Sequence, residues 1–426
     1  MRRVLAKSLL PLVVLCASVA CDGSRSSGST LVTETDAAGD TIRIRITGEL
    51  GAGDMHTLVP EMEVGAEDAG EEETFGWVVS LLPLKDGSVL VFDGQANALR
   101  QFDSTGTFVP NFGRKGGGPG EFGQVNGIAR RADGSVVVWD ATGGRINAYS
   151  DTGAFLSTWR VPMTGHFGQN MLWSDDEGRT LSWVVLTREE KDFTRGARGV
   201  IRYDAMGAVI DSVAYPVWRE PPPTLLARTP DGRGSTSFTF PFAPYNVAVV
   251  SPGGGFVSGP GDPYVFYLTD RAASKPTRVE LDFAPVAISE TERREHRAHV
   301  EHGLRRTDPG WTWTVADIPQ NKPAYESIQV GLDGRIWVNV STPGVEIPAA
   351  ELSPVPPGRE SDPRFTTRQP TLLDVFTPEG RLLGRVAVPR RVAVLAMEGD
   401  HVYAVRSDSL DVPYVVRYRV SPALKP

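Results

Sequence analysis

Five polar residues, Gln124, Asn126, Asn170, Asn246 and Glu326, recur where short apolar stretches of the chain begin. Four amides and one carboxylate offer oxygen donors, which hard cations such as calcium prefer, and the same groups can bind a polar solute. Asn126, Asn246 and Glu326 are the three that would hold a metal, although such a site normally draws on more carboxylates. An Asn at a strand start also commonly satisfies backbone groups of the connecting chain, and that alternative stays open.

A second cluster is Glu295, His296, His299 and His302, spaced by three and four residues on what reads as a helix. Such spacing can present ligands to zinc. Arg293, Arg294, Arg297, Arg305 and Arg306 crowd the same segment and oppose a dication, so a charged, solvated helix face is the expectation. Ser289-Glu290-Thr291-Glu292 has the form of a capping box, and the helix it opens should run to about Leu304, with Gly303 near its end. No G-x-S-x-G elbow is present, so Ser-His-Asp hydrolysis has no support. The repeated Asp93 and Asp140 are expected to cap turns on the face opposite the amides. Trp311-Thr312-Trp313-Thr314 alternates as a strand would, and should seal an insertion against the core rather than form a sugar platform.

The glycine-rich run Phe112 to Phe122, FGRKGGGPGEF, could in principle cradle a phosphate on its backbone amides. No helix follows it and no Lys-Ser or Lys-Thr pair ends it, so it reads as a connection that turns a corner. A net charge of -8 argues against a general nucleic-acid binder.

The elements that must position these residues come from an internal repeat. Asp86-Gly87-Ser88-Val89-Leu90-Val91-Phe92-Asp93 recurs as Asp133-Gly134-Ser135-Val136-Val137-Val138-Trp139-Asp140, and the segments 99–108 and 146–155 align at the same offset. Each unit reads as four strands joined by turns, with Asp-Gly as a type I′ hairpin signal. Four antiparallel strands per repeat of this length is the layout of a propeller blade. Degenerate copies place inner strands near Trp77, Val125, Met171, Val247, Ser327 and Val392. The predicted fold is all-β: a six-bladed β-propeller of four-stranded antiparallel blades over residues 41–420, with a short helical insertion near residues 289–304 and a tail at 421–426. The last blade holds three strands, and Thr41 to Ile46 together with Glu61 to Val64 are expected to supply the fourth and close the ring. Extended loops at residues 220–240 and 350–368 are expected to shape a binding mouth.

At the N-terminus, Arg2, Arg3 and Lys7 precede the apolar run Leu9 to Ala20, the layout of an export signal. Ser18-Val19-Ala20-Cys21 resembles the lipobox of bacterial lipoproteins. That resemblance implies acylation of Cys21, cleavage of residues 1–20 and a flexible tether over residues 21–40; ordinary secretory cleavage is the alternative. After cleavage Cys21 would be the only thiol, and lipid would cap it.

Phe112-Gly113, Gly116 to Gly118, Pro119-Gly120-Glu121-Phe122 and Gly127-Ile128-Ala129 resemble an NHL-type repeat, and the chain is similar to the six-bladed β-propeller lipoproteins of environmental bacteria. The resemblance implies export and attachment to the cell envelope, on the periplasmic side or the cell surface. Fold of this kind does not give function. The reading is a monomeric, membrane-anchored, non-enzymatic binding or scaffold module for a protein, peptide or glycan, with no cofactor and no nucleic-acid partner. The alternative is a metal-dependent hydrolase or lyase of the lactonase type, with calcium held by Glu326 and the Asn ring.

Overall fold

The computed structural model describes residues 30–425 except 39–40, 66–69, 110–111, 162–169, 188–195, 271–274, 353–354 and 356–357. The leader, Cys21 and most of the tether lie outside the described residues.

Successive strands pair antiparallel into six blades around an axis. The inner strands are Val78–Pro83, Val125–Arg130, Leu172–Ser174, Val247–Val250, Tyr325–Val330 and Val392–Glu398. The second strands explain the continuous apolar runs. In blade 1, Val89–Asp93 is buried along its whole length because successive side chains alternate between two neighbours. Leu90 and Phe92 pack toward blade 2 with Ile128, Val136 and Val138, while Val89 and Val91 pack toward blade 6 with Tyr403 and Val415. Blade 2 repeats the device: Val137 and Trp139 turn to blade 3 and meet Leu172 and Tyr203. The remaining blade contacts are filled the same way, so the core is a ring of hydrophobic layers.

Ring closure divides the expected N-terminal strand in two. Met55–Val64 forms the outer strand of blade 6, antiparallel to Pro413–Ser421. Its first residues also pair in parallel with Leu382–Ala387 of blade 5. Thr41–Thr47 does not contribute to closure. It lies parallel to the outer strand of blade 4, Thr277–Leu281, and forms a hairpin with Val32–Ala38, making a six-stranded sheet. Ile44 and Ile46 carry it there, because their shared face completes the core between blades 4 and 5.

The repeated hairpins are not type I′ turns. Gly87 and Gly134 hold φ of 84° and 96°, whereas Asp86 and Asp133 are absent from the residues with positive φ. The turns instead end in a left-handed glycine, with the Gly87 and Gly134 amides donating to the Leu84 and Arg131 carbonyls. Asp86 and Asp133 brace the turns by accepting from the backbone and hydroxyl of Ser88 and Ser135.

The insertions form a small subdomain at the face where inner strands begin, here called the crossover face. Helix α1, Glu290–Arg305, is capped by Ser289 and Glu292 as the capping box predicts. Residues 220–240 are not simply an extended loop but carry an antiparallel hairpin, Leu225–Arg228 with Ser235–Phe238, and Val300 and Leu304 pack on Leu225, Ala227 and Phe240 from it. Trp311 and Trp313 join this core without forming a strand. The helix face expected to be solvated is partly covered. Glu295 is buried and accepts from the Thr367 hydroxyl at 3.0 Å, and His296 lies between the rings of Phe242 and Phe365. Burial pushes the His296 imidazole below its ordinary range.

Candidate functional site: the axial cavity

A cavity of about 410 Å³ lies on the axis and is lined by all six inner strands, from Leu81 and Ile128 through Leu172 and Val249 to Ile328 and Leu395. Each of these strands is hydrogen-bonded on one side only, so its open edge faces the axis. Side chains meet some of those edge groups across blade boundaries. Asn170 Oδ1 accepts from the Ile128 amide at 2.9 Å and its Nδ2 donates to the Ile128 carbonyl at 3.0 Å. Gln329 of blade 5 donates to the Val394 carbonyl of blade 6 at 3.2 Å. Arg130 of blade 2 donates to the Pro83 carbonyl of blade 1 at 2.8 Å and pairs with Glu398 of blade 6 at 2.5 Å. The wall therefore combines apolar side chains with strand-edge polar groups, and three side-chain clamps link inner strands across blade boundaries.

Of the five polar residues singled out by sequence, Asn170 alone lines this cavity. Gln124 sits in the crossover to blade 2, its amide donating to Asp140 Oδ1 at 3.2 Å. Asn126 is buried at a β-bulge between Val125 and Gly127. Asn246 accepts from the Trp218 and Arg219 amides at 2.8 and 3.0 Å and donates back to the Arg219 carbonyl at 2.6 Å. Glu326, at the bulge between Tyr325 and Ser327, is exposed and accepts from Gln369 at 2.8 Å. Among the described residues no group of three His, Cys, Asp or Glu side chains could hold a metal ion. Arg130 and Glu398 were missed by sequence reading; the available signal was a charge at the last position of an otherwise apolar inner strand, just before a hairpin.

Asp93 and Asp140 lie on the crossover face with the amides, not opposite them, because they pair with Val78 and Val125 at the starts of the inner strands. Both are buried and cap the crossover. Asp140 Oδ1 accepts from the Gly123, Gln124 and Gly143 amides while Oδ2 takes Arg145 at 3.1 Å. Asp93 does the same with Trp77, Gln95 and Arg100. The glycine-rich connection is occupied by its own carboxylate: Glu121 accepts from the Gly118 amide at 2.8 Å and from Arg114 at 2.7 Å. Those two bonds, the Gly118 amide first, hold the Glu121 carboxyl below its usual range.

A family described as a six-bladed β-propeller matches residues 73–198, from the start of blade 1 into blade 3. The chain is a six-bladed β-propeller. A structure of a duf4221-family member from Bacteroides vulgatus superposes with a TM-score of 0.50 at 11% identity, covering 86% of this chain and 98% of that one. A Bacteroides fragilis protein described as exported gives 0.47 at 11% identity, covering 89% and 99%. Virginiamycin B lyase from Staphylococcus aureus gives 0.37 at 9% identity, covering 84% and 98%. No curated protein matches the sequence. At these identities the likeness concerns the fold, and function has to be argued from the site.

Proposed function

We propose that this propeller is an exported, lipid-anchored, non-enzymatic binding module that takes an extended peptide, or the exposed segment of a partner protein, into its axial cavity. The observation that carries the reading is the wall itself: six inner-strand edges, capped in part by Asn170, Gln329 and Arg130, beside apolar side chains. Strand edges recognise peptide backbone through N–H and C=O groups, and the apolar residues between them select a side chain. The volume falls at the small end of ligand sites, enough for one or two side chains and not a folded domain. Binding is favoured over turnover because the amide and guanidinium side chains at the axis are committed: Asn170 to Ile128, Gln329 to Val394, and Arg130 to Pro83 and Glu398. Export and anchoring rest on the basic and apolar leader and on Ser18-Val19-Ala20-Cys21.

The test uses the full chain in lipid nanodiscs on peptide and oligosaccharide arrays, with Ala396→Trp to fill the cavity. Peptides that bind the wild type and lose about ten-fold or more affinity in the plugged variant support the reading. Oligosaccharide binding alone, or peptide binding indifferent to the plug, overturns it. Palmitate labelling abolished by Cys21→Ala checks the anchor.

A further inference from the structure

Three of the six histidines lie on α1, and all three meet one short stretch of the loop that leaves blade 5 after its second strand, Ile336–Val340. His302 Nε2 sits 3.2 Å from Asp362. The His296 and His299 rings pack on Phe365, with centroid separations of 4.8 and 5.2 Å. Beside them Glu295 accepts from the hydroxyls of Thr366 and Thr367. The stretch ends in a two-stranded ribbon, Val345–Glu346 paired with Thr367–Arg368, and the Ile347 amide donates to the Thr366 carbonyl at 2.8 Å. A ladder of two residue pairs does not hold by itself in water, so its order rests on packing, which Glu295, His296 and His299 supply from α1.

His296 is where a proton would disturb this contact. Its half-buried ring lies between Phe365 and Phe242. The carboxylates nearest in sequence are already committed, Glu292 to Lys322 and Ser289, Glu295 to the two threonines. The Lys322 ammonium lies 5.6 Å from the Phe242 centroid, so that ring already serves one cation and a second would be repelled. On the ribbon side the charges flanking Phe365 are Asp362, tied to His302 and Arg359, and Arg364 and Arg368, which are cations themselves. A cation–π contact returns about 0.5–1 kcal/mol, less than stripping water from a charge costs. Burial above all holds the imidazole below its ordinary range; His299 and Lys322 add to the shift, and Glu292 and Glu295 oppose it.

We propose that the ribbon and Phe365 form an acid-released strap, seated on α1 while His296 is neutral and lifted from it when His296 takes a proton. Asp362 is the end that stays fastened. Arg359 donates to one of its oxygens at 2.6 Å and His302 lies at the other, and Arg359 first among these holds the carboxyl below its usual range. It therefore remains charged in mild acid, where protonation of His302 only strengthens their pair. An imidazole that binds its proton less tightly when seated stabilises the seated form above about pH 6.5, and that contribution is lost as pH falls toward the seated value. None of the strap residues lines the axial cavity, so the strap operates whatever that cavity binds.

Hydrogen exchange read by mass spectrometry on the full chain in nanodiscs, at about pH 7.5 and about pH 5 with labelling times scaled for the intrinsic rate, tests this. Residues 345–347 and 365–368 should lose about five-fold or more of their protection at the lower pH, while Val89–Asp93 in blade 1 keeps its own. His296→Phe leaves a ring between Phe242 and Phe365 that cannot titrate, and its strap should stay protected at both values; His296→Leu should show the same insensitivity without an aromatic ring. His302→Gln should respond as wild type does. Equal protection of the wild-type strap at the two pH values overturns the proposal, whether or not either His296 variant folds. So does a loss that persists in both His296 variants, one that spreads to blade 1, or one that vanishes in His302→Gln.

Discussion

Arg130 of blade 2 reaches past blade 1 to pair with Glu398 of blade 6, Nη2 to Oε1 at 2.5 Å, while its Nη1 donates to the Pro83 carbonyl of blade 1. One guanidinium thus ties three inner strands at the hairpin end of the axial cavity. Arg130→Met should lower unfolding free energy by about 1–2 kcal/mol in urea titration, mostly through the orphaned Pro83 carbonyl. Because Glu398 is partly exposed, its coupling to Arg130 in a double-mutant cycle with Glu398→Gln should stay below about 1 kcal/mol.

Asn170→Ala should cost about 1–3 kcal/mol, since it strips partners from both backbone groups of Ile128. Asn170→Asp should cost more despite being closer in size. A carboxylate accepts from the Ile128 amide and cannot donate to the carbonyl beside it. Urea midpoints rank the three proteins, and faster hydrogen exchange at the Ile128 amide in Asn170→Ala would locate the damage.

A buried ion pair joins the insertion to blade 5. Lys322 donates to Glu292 at 2.5 Å and to the Thr342 carbonyl at 2.8 Å, with both side chains buried. Burial alone would raise the Glu292 carboxyl, but Lys322 and Ser289 hold it below its ordinary range. Lys322→Met should therefore destabilise by about 3–5 kcal/mol, leaving a buried carboxylate unpaired, and adding Glu292→Gln should recover part of that loss. Thermal melts of the single and double variants check the order.

Ring closure should weaken in acid through Glu61. Burial opposes its ionisation, yet Arg419, His401 and Arg417 together lower its pKa in the folded chain. A depressed carboxyl contributes stability above its unfolded value of about 4.5, and that contribution disappears as pH falls through the lower folded value. Wild type should thus lose more stability than Glu61→Gln between pH 6 and pH 3, measured as the difference in urea midpoints.

Much of the fold was legible because a blade has a strong local signature. Turn glycines after short apolar runs, repeated between residues 86 and 155, specify hairpins, and strands such as Val89–Asp93 with no polar face imply a neighbour on each side. The capping box at Ser289 likewise carried its helix, since every group it needs lies within four residues.

The candidate site was less legible. Bulges after Val125 and Tyr325 displace Asn126 and Glu326 from a simple alternation, so counting along the strand put them on an axis they do not line. Thr41–Thr47 has the pattern of any half-buried edge strand, and only the unfilled space beside Val279 and Phe266 directs it to blade 4 rather than blade 6. The Arg130–Glu398 pair joins residues 268 positions apart.

By itself, the sequence determined that strands of alternating or doubly buried character would pair locally into sheets and that six such sheets would have to cover one another. Those decisions rest on hydrogen bonds and side-chain period within some fifty residues, which short-range chemistry settles. Which charges meet at the axis, which amides are spent on backbone, and which outer edge the N-terminal strand covers were decided only by closing the ring. Closure brings distant segments together, and a residue's partner there depends on space left by all the other blades.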